Sequence, residues 1–297
     1  DAKTHPYIST GLNENKFGVS IETARKMYIY AKKSKFLNPV GIHFHIGSQL
    51  TEIAPICDAA KIVSDLLREL RALEIDIKFF DVGGGIGIRY EDEKQIVLYD
   101  YAQGILKSLS GLDVTIVCEP GRFITGAAGV FLTRVLYEKQ NCGKRFVIVD
   151  GAMNDLIRPS LYGAHHAIEI VSASEGINLD EPCASEVNLG CTSSDQTSGC
   201  CAYEKISSVN LVEASPCDVV GPICESGDFL AKGVSLPCLQ SGDLLAIKSA
   251  GAYGFSMSSN YNTRCRAAEV AVYDGQDRLI RRRESFDELI ALEKDLV

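Results

Sequence analysis

Apolar positions in the first 126 residues switch repeatedly between a helical and a strand period. Ser20 can cap a helix in which Ala24, Met27, Tyr28 and Ala31 form one apolar face. Pro39-Val40-Gly41-Ile42-His43-Phe44-His45 reads as a strand. Ala59, Ile62, Val63, Leu66, Leu70 and Leu73 mark a second amphipathic helix, and Ile77-Lys78-Phe79-Phe80-Asp81-Val82 a buried strand. A helix over Tyr99 to Leu109 and a strand over Val114-Thr115-Ile116-Val117-Cys118 follow. The strands begin roughly 37 residues apart, the size of a βα unit. A polar or glycine cluster follows each strand: His45-Ile46-Gly47-Ser48, Gly83-Gly84-Gly85, and Glu119-Pro120-Gly121-Arg122. Functional groups gather at such strand ends in a (β/α)8 barrel. Three units are clear, with at most a fourth, so the remainder of a barrel would have to precede Asp1.

Beyond about residue 126 the pattern turns to β. Strands are expected at 130–137, 145–150, 243–247 and 267–273, with a short helix at 154–162 and a terminal one from Ser285. The expected fold class is therefore α/β plus β. Residues 1–126 form the later part of a barrel, and 127–297 a mostly β, sandwich-like or barrel-like domain. Residues 174–215 do not fit this plan. They are rich in Ser, Cys, Glu and Asn with little period, and read as an irregular insertion or as sequence foreign to the mature protein.

Composition narrows the class. The 297 residues suggest about two domains. A net charge of −9 without a basic run argues against nucleic acid and anionic membranes as partners. No apolar run spans a bilayer, and the N-terminus lacks a signal pattern. None of the eleven cysteines forms a CxxC pair, so no metal is expected and a reducing, cytoplasmic setting is favoured, with a plastid possible in a eukaryote.

The clusters suggest chemistry. Gly83-Gly84-Gly85-Ile86-Gly87 lets backbone N–H groups approach a phosphate, though a tight βα turn would look the same. Glu119-Pro120-Gly121-Arg122 offers an anion site and a separate acceptor for a protonated ring nitrogen. Pyridoxal 5′-phosphate (PLP) needs both. His43 or His45 can stack on a flat ring. Cys224, beside Glu225, can serve as a proton donor. Arg158 and Tyr162 share a helical face and could hold a carboxylate.

Taken together, HFHIGSQ at 43–49, DVGGGIG at 81–87, EPGRF at 119–123, RPSLYGAHH at 158–166, CESGDF at 224–229 and AGAYGFSMSSNYN at 250–262 resemble the diaminopimelate decarboxylase family, of the alanine-racemase-like PLP fold. The resemblance implies decarboxylation of meso-2,6-diaminopimelate to L-lysine and CO2, the last step of lysine biosynthesis. It implies that His45 stacks on the cofactor ring and Glu119 pairs with its nitrogen. Ser48, Gly84, Gly85, Gly121 and Arg122 would surround the phosphate. Tyr253 and Arg122 would touch substrate as well as cofactor. Arg158, Tyr162 and Glu225 would hold the distal end of the substrate. Cys224 would return the proton, reaching the site of a partner subunit in a homodimer.

The Schiff-base lysine of this family lies in a Tyr-Ala-x-Lys-Ala-like motif that this sequence does not match. Tyr30-Ala31-Lys32-Lys33-Ser34-Lys35 looks similar but falls on the polar side of the first helix. The chain is thus expected to be an N-terminally truncated part of a longer enzyme, inactive alone. The alternatives are a non-catalytic dimerisation or regulatory relative, and another basic amino-acid decarboxylase.

Overall fold

The structure, a computed structural model, describes residues 16–171, 214–294 and 296. The cysteine-rich stretch at about 174–215 lies almost wholly outside them. The chain groups into two units: 1–130 with 162–167 and 248–256, and 131–161 with 168–247 and 257–297. The grouping is thus not a single cut near residue 126, because two short later segments return to the first unit.

The first unit alternates helix and strand: α1 (Ile21–Lys33), β1 (Gly41–His43), α2 (Ala54–Ala72), β2 (Phe79–Asp81), α3 (Leu98–Ser108), β3 (Thr115–Val117) and α4 (Gly121–Thr125). Ser20 caps α1 by accepting the Thr23 N–H at 3.2 Å. Pro55 stands in the first turn of α2, where a missing N–H costs nothing. The strands form a parallel sheet in the order β1-β2-β3, with Ile42 opposite Phe80 and Phe80 opposite Ile116. Leu67, Leu70, Ile77 and Phe80 lose all solvent contact in the core between helices and sheet. Each such side chain stabilises the unit by about 1.5–3 kcal/mol.

The helical faces are narrower than the periodicity predicts. Ala24 and Tyr28 of α1 pack on the core, and the Tyr28 hydroxyl donates to the Gly41 carbonyl at 2.6 Å. Met27 is 56% exposed, as is much of Ile62 on α2. No described element of this unit covers them. The strands are also shorter than predicted: β1 ends at His43, and His45 lies beyond it.

The second unit is built on a six-stranded mixed sheet in the order β6-β9-β4-β5-β7-β8. Its members are β4 (Phe131–Asn141), β5 (Lys144–Val149), β6 (Ile168–Val171), β7 (Ser215–Val220), β8 (Phe229–Leu236) and β9 (Leu244–Ile247). A hairpin, β10 (Glu269–Tyr273) with β11 (Gln276–Arg281), stands apart from that sheet. Both two-residue turns put a non-glycine and then a glycine at positive φ: Cys142 (48°) with Gly143 (77°), and Asp274 (51°) with Gly275 (74°). That geometry matches the twist of the flanking strands. Arg145 knits four strands together. It pairs with Glu138 and donates to the Ser215, Leu236 and Pro237 carbonyls at 3.2, 2.7 and 2.5 Å.

The helix expected over 154–162 shrinks to α5 (Arg158–Tyr162). Upstream, Asp155 Oδ2 accepts the Ala152 N–H at 3.0 Å, and that local turn competes with helix. A last short helix, α6 (Phe286–Leu289), starts at a Ser285–Glu288 capping box. Among the described residues no helix is long and apolar enough to cross a membrane.

Candidate functional site

In the first unit the three strand ends converge on one another through backbone. Leu50 N–H donates to the Gly85 carbonyl at 2.8 Å, and Glu119 N–H to the Gly83 carbonyl at 2.8 Å. These approaches need glycine. A Cβ on Gly84 would lie 2.2 Å from the Glu119 carbonyl oxygen, and one on Gly85 would lie 2.2 Å from that of Gly47. Gly121 differs, because a Cβ there meets nothing within 4 Å. The space over Gly121 itself is therefore open.

Arg122, on α4, is 6% exposed. One terminal nitrogen donates to the Tyr90 hydroxyl at 2.6 Å and the other to the Ser48 hydroxyl at 3.0 Å. Its guanidinium also lies 4.8 Å from the Tyr253 ring centroid, and Tyr253 itself holds a φ of 59°. The buried Nε has no partner, and among the described residues no carboxylate pairs with this cation. A buried charge without a counter-ion is costly. The arrangement suits an anion that brings its own acceptor oxygens. Tyr90 is in turn braced edge-on by His166, 5.2 Å away, whose Nδ1 faces the Lys248 carbonyl at 2.8 Å. Sequence reasoning passed over Tyr90 because it sits in a charged, aperiodic stretch.

His45 accepts the Gly84 N–H at Nδ1, at 3.3 Å, which places its ring proton on Nε2. Burial, and next the charge of His43, hold its pKa below the usual imidazole value, while Glu119 pulls the other way. The ring is therefore neutral at pH 7. A histidine depressed in this way contributes stability above its ordinary pKa and loses it as pH falls through the lowered one. Protonation at Nδ1 breaks the bond to Gly84. Cofactor retention in the full-length protein is expected to stay flat above about pH 6.5 and to fall at lower pH. Titrating PLP absorbance against pH checks this, and the acid limb should vanish in His45→Asn.

Glu119 projects into solvent with its carboxylate 3.5 Å from His43 Nε2. Ligand-type atoms of His43, Asp81 and Glu119 lie within 4.8 Å of one another. Asp81 is already engaged, accepting the Gly83 N–H at 2.9 Å.

The second unit holds Arg158, Cys224 and Glu225, while Tyr162 groups with the first. Cys224 and Glu225 occupy the loop between β7 and β8, and both are exposed. Asp228, 4% exposed, organises that loop. Its carboxylate accepts the Ile223 N–H and the Met153 N–H, each at 2.7 Å. Burial raises its pKa, and the two backbone N–H bonds pull against that. Gly221 must lack a side chain, since a Cβ would lie 2.4 Å from Asp228 Oδ2. Ser160, on the α5 that carries the buried Arg158, donates to the Gly227 carbonyl at 2.5 Å. Tyr162 closes the same helix. Asp228→Ala would strand two N–H groups, at a cost of about 2–4 kcal/mol. A denaturant titration of the variant should read that loss.

Residues 1–126 match the family described as pyridoxal-dependent decarboxylase, pyridoxal binding domain. The chain is 58% identical to the diaminopimelate decarboxylase of Campylobacter jejuni over 295 residues, which is 99% of this chain and 64% of that protein. The crystal structure of the Helicobacter pylori diaminopimelate decarboxylase complexed with L-lysine superposes at a TM-score of 0.85 with 50% identity, covering all of this chain and 65% of that one. The crystal structure of the diaminopimelate decarboxylase from m. jannaschii in co-complex with L-lysine gives a TM-score of 0.79 at 32% identity, covering 99% of this chain and 61% of that one. The chain thus spans about 64% of the length of the curated relatives it matches best among these. Over nearly its whole length, then, the chain is similar to diaminopimelate decarboxylases, and its residues 1–126 match the pyridoxal-binding domain of the pyridoxal-dependent decarboxylases.

Proposed function

We propose that the protein to which these residues belong decarboxylates meso-2,6-diaminopimelate to L-lysine and CO2 with PLP. The observation that supports it most is Arg122: a buried cation with an unpartnered Nε, no carboxylate among the described residues, and open space at Gly121. A phosphate fits that donor set. Ser48, Gly84, Gly85, Gly121 and Arg122 would hold it. When bound, PLP supplies an electron sink for the pair left by the departing carboxylate.

The chain's own residues do the rest. Glu119 would accept from the ring nitrogen and keep its proton in place. The neutral His45 would stack on the ring. Tyr253, beside the Arg122 guanidinium, limits where the reacting end can sit. Arg158 and Tyr162 hold the distal carboxylate and Glu225 the distal ammonium. That end distinguishes the substrate from simple diamines and from ornithine. The C–CO2 bond breaks, and the Cys224 thiol gives its proton to the carbon that lost it. We assign β1–β3 to a (β/α)8 barrel completed by a longer chain, acting as a homodimer in which Cys224 serves the partner's cofactor.

The test is the full-length protein saturated with PLP. Meso-diaminopimelate should yield L-lysine and CO2 in equal amounts, and ornithine and arginine neither product. Release of CO2 from ornithine alone would refute the assignment. The 297 residues assayed by themselves should show no turnover. Among the described residues no Tyr-Ala-x-Lys motif lies on a strand: Tyr30-Ala31-Lys32-Lys33 falls in the last turns of α1, with Lys32 Nζ on the Leu73 carbonyl at 2.6 Å.

A further inference from the structure

The motif at 250–262 contains a tyrosine to which the proposed mechanism gives no part. Tyr261 opens a single 3-10 turn, Tyr261–Thr263, in the second unit. Its hydroxyl donates to Glu225 Oε2 at 2.5 Å. Glu225 is otherwise held through its backbone. Its N–H donates to the Ile223 carbonyl at 2.7 Å, and its carbonyl accepts from Asp228 N–H at 3.0 Å. Among the described residues Oε1 has no hydrogen bond.

The segment that presents Tyr261 is strained. Asn262 and Thr263 follow it with φ of 55° and 58°. Thr263 is β-branched, for which this region is strongly disfavoured. Such strain persists only where the surroundings over-determine it. Here they do. Ser259 N–H donates to the Asn154 carbonyl at 2.9 Å, and Asn154 Nδ2 donates back to the Ser259 carbonyl at 3.2 Å. Asn154 is 2% exposed. Its Oδ1 accepts from Arg264 Nε at 2.9 Å, on the far side of the turn. One buried asparagine therefore fixes both ends of the loop. The Tyr261 N–H is further steadied by Ser259 Oγ at 3.3 Å. The Glu225 carboxylate, nearest and dominant, pushes the Tyr261 phenol above its usual pKa, so the hydroxyl keeps its proton to donate.

We propose that Tyr261 is a positioning residue for Glu225 and through it a determinant of substrate specificity. By occupying Oε2 it fixes the rotamer of the carboxylate and leaves Oε1 to accept from an ammonium at the distal end of a diamino acid. This rests on the reading of Glu225 as the distal-end ligand. Tyr261 itself does not touch the reacting atoms, so its loss should weaken substrate binding rather than slow the chemistry.

The test uses the full-length holoenzyme with meso-diaminopimelate. Tyr261→Phe keeps the ring and removes the donor. KM should rise about tenfold, with kcat within about twofold of the parent. Glu225→Gln should raise KM at least as far. In the Glu225→Gln background Tyr261→Phe should add less than about twofold, because the two act as one unit. Ser259→Ala loosens the same loop without touching the pair, and should raise KM about two- to threefold should Tyr261→Phe fail to fold. An unchanged KM in a folded Tyr261→Phe, or fully additive effects in the double variant, would overturn the proposal. An unchanged KM in Glu225→Gln would instead remove the reading beneath it, and this proposal with it.

Discussion

Cys224→Ala in the full-length holoenzyme should lower kcat by about 10²–10⁴-fold, the range for loss of a positioned proton donor. PLP absorbance and thermal stability should not move. The residue is exposed. Its worth lies in where the loop puts it. Asp228 holds that loop from within, through the N–H groups of Ile223 and Met153. In the proposed reaction the carbon that loses CO2 must regain one proton, and alanine has none to give. Water can substitute slowly, so residual turnover should remain and should exchange with solvent deuterium without stereochemical control. Parent-like kcat in Cys224→Ala would remove Cys224 from the mechanism. Asp228→Ala separates position from chemistry: it keeps the thiol, so its kcat should recover in part at low temperature, where the loop is better ordered.

Gly85→Ala should cost about 3–5 kcal/mol, from overpacking and backbone strain together. The added Cβ would lie 2.2 Å from the Gly47 carbonyl oxygen and 2.9 Å from Leu50 Cδ1. The backbone φ of 98° is one that alanine resists. Neither neighbour can yield cheaply, because Leu50 N–H is bonded to Gly85 itself and Leu50 is 2% exposed. Shifting Gly47 also moves Ser48, which is bonded to Arg122. PLP retention should therefore fall with stability, read as a drop in melting temperature on the order of 10 °C. Gly111→Ala is the control. Its φ is 75° but a Cβ there meets nothing within 4 Å. It should cost only about 1 kcal/mol of conformational strain. Equal losses at the two positions would show that φ alone, and not the close approach, makes Gly85 necessary.

Some of this protein was written locally in its sequence. Ser20 at the head of α1, the apolar spacing of α2 and the Ser285 cap are local signals, and the strand runs before Gly83 and before Glu119 are legible as contiguous apolar runs although their ladder partners lie far along the chain. The motif clusters are likewise contiguous, so the resemblance could be read from them. Other elements escaped for physical reasons. β7, β8 and β11 show no clean alternation, because neighbouring strands and tight turns decide which side chains are covered. The signal for β11 was nonetheless present in Asp274-Gly275, a turn pair that closes a hairpin. Met27 and Ile62 carry helical period but stay exposed, since periodicity gives a face and only packing decides how much of it is covered.

The site divides in the same way. Residue type and spacing, together with the family resemblance, nominated Arg122, Glu119, His45, Cys224 and Glu225 as candidates. Only the tertiary structure shows that Arg122 is buried on two hydroxyls with no carboxylate among the described residues, that burial holds the His45 pKa down while its Nδ1 accepts the Gly84 N–H, that Asp228 braces the Cys224–Glu225 loop, and that Tyr261 donates to the Glu225 carboxylate. Apart from the Ile223–Asp228 bond, five positions apart, these are contacts between residues 32 to 75 positions apart. A charge state or a side-chain direction depends on what is brought near it, and in this chain the nearest groups are not its sequence neighbours.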